Sequence, residues 1–423
     1  NDSRRWAGAG CQVIEDDRLQ GRGRRRSHRT LRTATGGIEY LDGHHGGVEP
    51  DEIRLPEAIL PSDGRFGCGP SKVRTAQIDA IVAAATTTMG TSHRKPPVKR
   101  LVGAVRAGLR ELFSLPDGWE IVLGNGGTTV FWDAATFGLV DLRSQHLVFG
   151  EFSSKFAVAA AAAPHLQEPT LVEAEPGTRP EALAEVGIDL YALTHNETST
   201  GVAMPLVRPD GVSADDALVA VDATSAAGGL RWDPTQVDVY YFAPQKCLAS
   251  DGGLWLAALS PAAVERIERI AGSDRWIPAS LDLGIALSNS RKDQTYNTPA
   301  LVTVFLAVQQ VEWMCHNGGL EWAAARCDQS SGIMYDWAEA SEYATPFVTD
   351  PADRSSVVTT IDLDEAVDAG TVSAVLRANG VLDTESYRKL GRNQLRVATF
   401  PAIDPADVEA LTQSIDHVVA ALA

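Results

Sequence analysis

The sequence has few cysteines and no long apolar run, and each absence excludes a class of protein. Five cysteines are scattered over 423 residues, at positions 11, 68, 247, 315 and 327, and no Cys-X-X-Cys pair occurs. This pattern argues against a disulfide framework or a zinc site and predicts reduced thiols in a cytoplasmic protein. No stretch reaches about 18 apolar residues, so we expect no membrane span.

Basic residues are also scarce relative to acidic ones. Lys and Arg together number 37 against 55 Asp and Glu, which gives a formal net charge of −18. This excess argues against nucleic acid or an anionic membrane as a general partner, because both require a basic surface. A small anionic substrate remains compatible with the composition, because a few arginines in a cleft can dominate the local field.

The length and the composition along the chain predict a large domain, a smaller domain and an extension. Residues 1–47 contain a basic run and glycine pairs without apolar periodicity, which predicts a disordered extension. A basic nucleic-acid arm is the alternative for this segment, and the interleaved acidic residues disfavour it. We predict a large domain with an N-terminal arm over 48–295, and a linking helix with a small domain over 296–423.

Short apolar segments alternate with helical patterns through the predicted large domain, which is typical of an α/β fold with a mostly parallel sheet covered on both faces. Ligands of such sheets bind at the carboxyl ends of the strands. The last hundred or so residues predict a small α+β domain, with strands at 357–361 and 395–399 and helices at 372–378 and 408–422. The predicted strands of the large sheet are 120–123, 146–149, 169–172, 190–194, 218–221, 239–242 and 254–259.

Lys246 and Asp222 each follow a buried strand of this predicted sheet. A pyridoxal phosphate (PLP) enzyme needs such a pair: the lysine holds the cofactor aldehyde as a Schiff base, and the aspartate keeps the pyridine nitrogen protonated. Taken alone, an aspartate at a strand end is more often a helix cap, and a lysine is usually solvated. The apolar strands on both sides of Lys246 favour a buried lysine, whose pKa burial would lower.

A glycine-rich turn at 124–127 leads from a predicted strand into a predicted helix that begins near Thr129. Glycines let backbone amides approach a phosphate, and a helix start carries partial positive charge. A plain tight turn explains the glycines equally well. The spacing is neither Gly-X-Gly-X-X-Gly nor a Walker sequence, which disfavours a dinucleotide or ATP site.

Thr198 and four arginines are further candidates for ligand contacts. Thr198 follows the 190–194 strand and could donate a hydrogen bond to a cofactor, although a turn or cap is the simpler interpretation. Arginine binds carboxylate or phosphate in two-point fashion. Most arginines lie on the surface, and Arg396, between Leu395 and Val397, is the least surface-like of the candidates Arg94, Arg388, Arg392 and Arg396.

Several short motifs, taken together and in order, resemble the phosphoserine aminotransferase family of the actinobacterial kind, within class V of the fold-type I PLP enzymes. The resemblance covers about residues 50–423. The motifs are DGRFGCGPSK at 63–72, TSHR at 91–94, HNET at 195–198, DATS at 222–225, PQK at 244–246, YNTP at 296–299 and RNQLR at 392–396.

The resemblance implies a homodimer with shared active sites and transamination between L-glutamate and a phosphorylated 2-oxo acid. The implied oxo acid is 3-phosphohydroxypyruvate, which gives O-phospho-L-serine and 2-oxoglutarate in serine biosynthesis. A related substrate, 4-phosphohydroxy-L-threonine of pyridoxine biosynthesis, and another class V aminotransferase activity are the alternatives. A cysteine desulfurase, a non-catalytic protein on the same fold and a dehydrogenase are less favoured.

The resemblance also implies roles for individual residues. Lys246 and Asp222 are the implied catalytic pair. The other implied cofactor contacts are Gly127, Thr128, Phe152, Thr198 and Gln245, with Asn297 and Thr298 supplied by the other subunit. The implied substrate contacts are His93, Arg94, Arg388, Arg392 and Arg396.

Overall fold

The computed structural model describes Pro50 and residues 52–423. The predicted disordered extension, 1–47, lies outside the described residues. The described strands are β1 (Glu120–Asn125), β2 (Ser144–Val148), β3 (Thr170–Glu173), β4 (Leu190–Thr194), β5 (Asn196–Glu197), β6 (Val202–Ala203), β7 (Leu218–Asp222), β8 (Val239–Phe242), β9 (Leu254–Leu259), β10 (Ala344–Pro346), β11 (Val358–Leu363) and β12 (Gln394–Ala398).

The described helices include the predicted linking helix and the helices predicted near Thr129, at 372–378 and at 408–422. Three further helices, at 261–271, 283–290 and 319–340, were not predicted from the sequence. The helices are α1 (Thr75–Ala84), α2 (Pro96–Leu112), α3 (Gly127–Gly138), α4 (Ser153–Ala162), α5 (Pro261–Ala271), α6 (Leu283–Ser290), α7 (Leu301–Asn317), α8 (Gly319–Ala340), α9 (Ala369–Ala378) and α10 (Pro405–Leu422).

Seven strands form one large sheet in the order β1-β9-β8-β7-β4-β2-β3. Neighbouring strands are parallel except at β9, which pairs antiparallel with both β1 and β8. All residues of β4, β7, β8 and β9 are buried. The predicted α/β fold with a mostly parallel sheet is confirmed.

The two faces of the sheet bury alternate residues of the same strands, as the two-residue period of a strand requires. Val219 and Val221 of β7 belong to one apolar cluster with α2 and α7. Leu218 and Ala220 belong to a second cluster with α3, α4, α5 and α6. The sheet is therefore held from both sides, and its strand ends are fixed points on which side chains can be placed.

A smaller antiparallel sheet, β10-β11-β12, packs with α8, α9 and α10. The N-terminal arm contributes Ile53, Leu55 and Phe66 to this core. Phe66 also exchanges backbone hydrogen bonds with Leu382 and Ala398. The arm thus packs on C-terminal residues, and the domain boundaries drawn from the sequence stay predictions.

Within the part of the chain that the structure describes, none of the helices has the length and apolar character of a membrane span.

Two histidines are also buried, one in β2 and one between β4 and β5. His146 of β2 is 1% exposed, and its Nε2 lies 2.8 Å from Ser144 Oγ. His195 is 4% exposed, and its Nδ1 lies 3.1 Å from Tyr240 Oη. Burial lowers the pKa of each imidazole to about 3, so both rings stay neutral in the folded protein at any pH above that value.

We expect acid to destabilise the fold partly through His146. In the unfolded chain this imidazole regains its usual pKa of about 6.5, so unfolding takes up a proton that the folded state excludes. The contribution of each such histidine to the free energy of unfolding is complete above pH ~6.5. It falls by about 1.4 kcal/mol per pH unit between pH ~6.5 and ~3. Equilibrium unfolding of His146→Gln should show a shallower decline with acid. The exposed His316→Gln variant should retain the wild-type slope, and an unchanged slope in His146→Gln would contradict this account.

Candidate active site

A cavity of about 490 Å³ opens at the carboxyl ends of β4, β7 and β8. Thr194 and Asp222, the last residues of β4 and β7, line it, and so does Lys246, which follows β8. The opposite wall is the glycine turn at the start of α3. The strand ends of the parallel part of the sheet thus converge on one concave site, as expected for this architecture.

Lys246 is the buried amine of this cavity. Its side chain is 7% exposed, and Nζ donates a hydrogen bond to Thr198 Oγ1 at 2.8 Å. Nζ also lies 5.2 Å from the centroid of the Phe152 ring. Burial lowers the pKa of the amine, and the negative charge of Asp222 partly opposes this shift. Lys246 is therefore closer to a neutral nucleophile than a solvated lysine is.

The backbone around Lys246 is fixed by contacts from distant parts of the chain. Ser71 Oγ donates to the Lys246 carbonyl at 2.8 Å. Ala249 has the left-handed φ of +43°, and Gln77 Nε2 donates to its carbonyl at 2.9 Å. Gly69 has a φ of +138°, which other residues rarely adopt, and a Cβ there would lie 2.8 Å from Lys246 Cε. The N-terminal Gly-Pro-Ser segment therefore sets the position of the lysine.

Asp222 is the buried carboxylate of the cavity and is 6% exposed. Its Oδ1 accepts from the Thr224 backbone N–H at 2.9 Å, and its Oδ2 accepts from Trp132 Nε1 at 3.1 Å. Burial raises the pKa of the carboxyl, and the two donors together with the charge of Lys246 act in the opposite direction. The donors therefore orient both oxygens of the carboxylate. They also offset part of the cost of burying its negative charge.

The glycine turn forms an anion-binding corner. Gly126 and Gly127 have φ of +109° and +72°, and α3 begins at Gly127. A Cβ on Gly126 would lie 2.3 Å from Val130 Cγ2, so the close turn requires glycine. The free N–H groups at the start of this helix carry partial positive charge toward the cavity.

The residues present fit PLP. The cavity contains an amine that can hold an aldehyde, a carboxylate for a ring nitrogen and a helix start for a phosphate. Asn196 Oδ1 and Gln245 Oε1 belong to cavity-lining residues, and neither buried atom has a hydrogen-bond partner within the described residues. No cluster that could hold a metal ion occurs in that same part of the chain.

The sequence-predicted residues divide into two groups. The first group lines the cavity and consists of Gly127, Thr128, Phe152, Thr198, Asp222, Gln245, Lys246 and Arg396. Arg396 Nη1 donates to the Thr198 carbonyl at 3.2 Å, which brings a guanidinium next to the hydroxyl that holds Lys246.

The second group does not line this cavity and consists of His93, Arg94, Asn297, Thr298, Arg388 and Arg392. His93 Nδ1 lies 3.3 Å from Thr298 Oγ1, and Arg94 donates to the Tyr296 carbonyl at 3.0 Å. His93, Arg94, Tyr296 and Thr298 therefore form a surface cluster of their own. Arg392 is engaged elsewhere, since Nη2 lies 2.5 Å from Asp362 Oδ2.

The structure adds residues that the sequence analysis missed. Trp132 reaches Asp222 from α3, and Tyr387 closes the cavity beside Phe152, with ring centroids 5.8 Å apart. The Arg396 guanidinium lies 5.3 Å from the Tyr387 ring centroid. Tyr387 directly precedes the candidate Arg388, and this position is the sequence feature that could have identified it as a site residue. Trp132 gave no signal, because a tryptophan inside an apolar helix is normally core.

The chain belongs to the class-V aminotransferases, because the family model described as aminotransferase class-V matches residues 70–382. It is therefore a PLP-dependent enzyme, as the motifs indicated. Among curated relatives, the phosphoserine aminotransferase of Nocardioides sp. is 62% identical over 369 residues, 87% of this chain and 99% of that protein. That of Rhodococcus jostii is 59% identical over 368 residues, 87% of this chain and 98% of that protein.

Solved structures show the same fold. The phosphoserine aminotransferase of Cytophaga hutchinsonii aligns with a TM-score of 0.76 at 23% identity, covering 83% of this chain and 97% of that one. That of Bacillus circulans subsp. alkalophilus aligns with a TM-score of 0.73 at 19% identity, covering 85% of this chain and 98% of that one. The fold is retained although most of the side chains differ.

We predict that Gly69→Ala disables the site by displacing Lys246. The added Cβ would approach Lys246 Cε at 2.8 Å, and a displaced reacting group costs roughly tenfold to a hundredfold in rate. Gly90→Ala is the matched control, because Gly90 also has a positive φ but a Cβ there meets no atom within 4 Å. Bound PLP per chain and turnover should fall in the first variant and not in the second. If the two variants bind PLP and turn over equally, Gly69 does not position Lys246.

Proposed function

We propose that the chain transfers an amino group from L-glutamate to 3-phosphohydroxypyruvate, giving 2-oxoglutarate and O-phospho-L-serine, as a cytoplasmic step of serine biosynthesis. The observation that carries the proposal is the Lys246 cavity, in which a buried amine, a buried carboxylate and an arginine meet at a PLP-sized site. The curated relatives named phosphoserine aminotransferase, at 59–62% identity over 87% of the chain, support the choice of substrate.

Lys246 is the proposed proton carrier. When bound, PLP supplies an aldehyde for the amino group and a ring that withdraws electrons from the substrate Cα. With PLP bound and the substrate amine in place of the lysine, the free Lys246 amine would take the Cα proton at Nζ and would return it to the carbon that had been the cofactor aldehyde. Burial favours the neutral amine that this step requires. Thr198 Oγ1, 2.8 Å from Nζ, orients the amine.

Asp222 and Phe152 are the proposed ring contacts. The two hydrogen bonds to Asp222 hold its carboxylate at the end of β7, where it favours a protonated ring nitrogen. Phe152 lies over Lys246 Nζ and offers a flat apolar surface for stacking. Tyr387 lies beside Phe152 and forms part of the cavity wall.

Arg396 is the proposed acceptor for a substrate carboxylate. Its guanidinium lies in the cavity wall, and Nε is buried without a partner within the described residues. A planar guanidinium can bind a carboxylate through two parallel hydrogen bonds. The site therefore selects acidic substrates even though the protein as a whole is acidic.

We infer that a second copy of the chain completes each site. His93, Arg94, Asn297 and Thr298 form a cluster outside their own chain's cavity, and Tyr296 in it is 51% exposed. Asn125 Nδ2 donates to the Thr298 carbonyl at 2.9 Å, which joins this cluster to the glycine turn. Two copies related by a two-fold axis could exchange such clusters, each giving phosphate- and carboxylate-binding groups to the other.

Half-reactions test the substrate assignment. The PLP-loaded enzyme is mixed separately with O-phospho-L-serine and with L-glutamate, and the absorption of the aldehyde form is followed. We expect both amino acids to remove that absorption, because both must donate their amino group in the two directions of the reaction. Loss with glutamate but not with phosphoserine would overturn the assignment and favour another phosphorylated substrate, such as 4-phosphohydroxy-L-threonine.

Subunit complementation tests the shared site. Lys246→Ala and Arg94→Ala should each be nearly inactive alone. If Arg94 serves the partner's cavity, a mixed dimer has one site with both substitutions and one with neither. Unfolding and refolding an equal mixture should then restore about one quarter of wild-type activity by random pairing. Absence of recovery, with mixed dimers demonstrated by a tag, would place Arg94 and Lys246 in the same site and contradict the proposal.

A further inference from the structure

Among the described residues, Trp132 is the one donor to Asp222 that comes from a helix. It lies on α3, is 8% exposed, and its Nε1 donates to Asp222 Oδ2 at 3.1 Å. Thr224 donates to Asp222 through its backbone N–H and also interacts with it through its side chain, but Thr224 is two residues away along the same turn and moves with Asp222. Within the described part of the chain, the indole is therefore the donor that links the carboxylate to a separate element of the fold.

Helix α3 contacts the end of β7 at two points. Thr128 and Trp132 are four residues apart and lie on the same face of the helix. Thr128 Oγ1 lies 2.8 Å from Thr224 Oγ1, and Trp132 Nε1 reaches Asp222. The same helix begins at Gly127, in the anion-binding turn. One rigid helix thus contacts both the anion-binding corner and the carboxylate at the other end of the cavity.

A buried carboxylate of this kind depends on its donors. Asp222 is 6% exposed, so the loss of a hydrogen bond to its buried carboxylate carries a desolvation cost. Without the indole, Oδ2 would lack its donor and the carboxylate could rotate about its Cβ–Cγ bond. Both effects would weaken the charged, oriented form that a protonated ring nitrogen requires.

We propose that Trp132 is a positioning residue that acts through Asp222: its indole N–H fixes the carboxylate for the cofactor ring and couples it to the phosphate end of the site through α3. The inference rests on the proposed role of Asp222 and does not depend on which acid is the substrate. The Tyr241 phenol also interacts with the indole, so the test must separate an effect through Asp222 from one through Tyr241.

The primary variant is Trp132→Phe, which keeps an aromatic ring and removes the donor. Trp232→Phe is the matched control, because Trp232 is a partly buried residue that stacks on Tyr240, and its Nε1 has no partner in the described part of the chain. The measurements are the dissociation constant of PLP and the absorption spectrum of the bound cofactor. We expect about tenfold or greater loss of PLP affinity in Trp132→Phe, the usual contribution of a hydrogen bond to a charged group. The spectrum should shift in the direction seen for Asp222→Ala, and Trp232→Phe should change neither quantity.

A double-mutant cycle decides whether the effect passes through Asp222. In the Asp222→Ala background, Trp132→Phe should change PLP affinity by less than about twofold. An equal loss in both backgrounds, or no loss in the single variant, would overturn the inference while leaving the role of Asp222 intact. Unchanged PLP affinity and spectrum in Asp222→Ala itself would overturn both, and the half-reactions with the two amino acids would still test the substrate separately.

Discussion

The burial of the Lys246 amine is the constraint on which the site depends. A lysine that is 7% exposed disfavours its own charged form, and that penalty is what makes the amine reactive. The surrounding structure keeps it there: Thr198 holds Nζ, Ser71 holds the backbone carbonyl, and Gly69 leaves room for the side chain. The fold therefore maintains an unfavourable burial that the chemistry uses.

The sheet explains how residues from distant parts of the sequence reach one cavity. Adjacent parallel strands have their carboxyl ends at the same edge of the sheet. Thr194, Asp222 and the loop after β8 therefore lie side by side. Helices cover both faces and hold the strand ends rigid. The antiparallel strand β9 lies between β1 and β8 and brings the glycine turn after β1 to the other wall. The packing of the whole sheet between its helices therefore fixes the positions of the site residues.

Local patterns predicted the parts of this structure that local physics determines. The buried strands are short, continuous apolar runs, so their positions and the α/β class followed from sequence. Helix α8 was missed, because Ser330, Ser331 and Gly332 interrupt its apolar pattern. Trp132 and Tyr387 were missed because their roles depend on tertiary contacts. The arginine candidates illustrate the limit. The apolar neighbours of Arg396 singled it out, and it lines the cavity. The pairing of Arg392 with Asp362 is a tertiary contact that the sequence does not show.

Chemical trapping of the cofactor tests the central claim, that Lys246 is the amine that holds PLP. The loaded enzyme is reduced with borohydride, digested and mapped by mass spectrometry. The account predicts a single phosphopyridoxyl modification on Lys246, and its loss in Lys246→Ala. Modification of another lysine, such as Lys72, or a reduced protein without a covalent adduct, would contradict it.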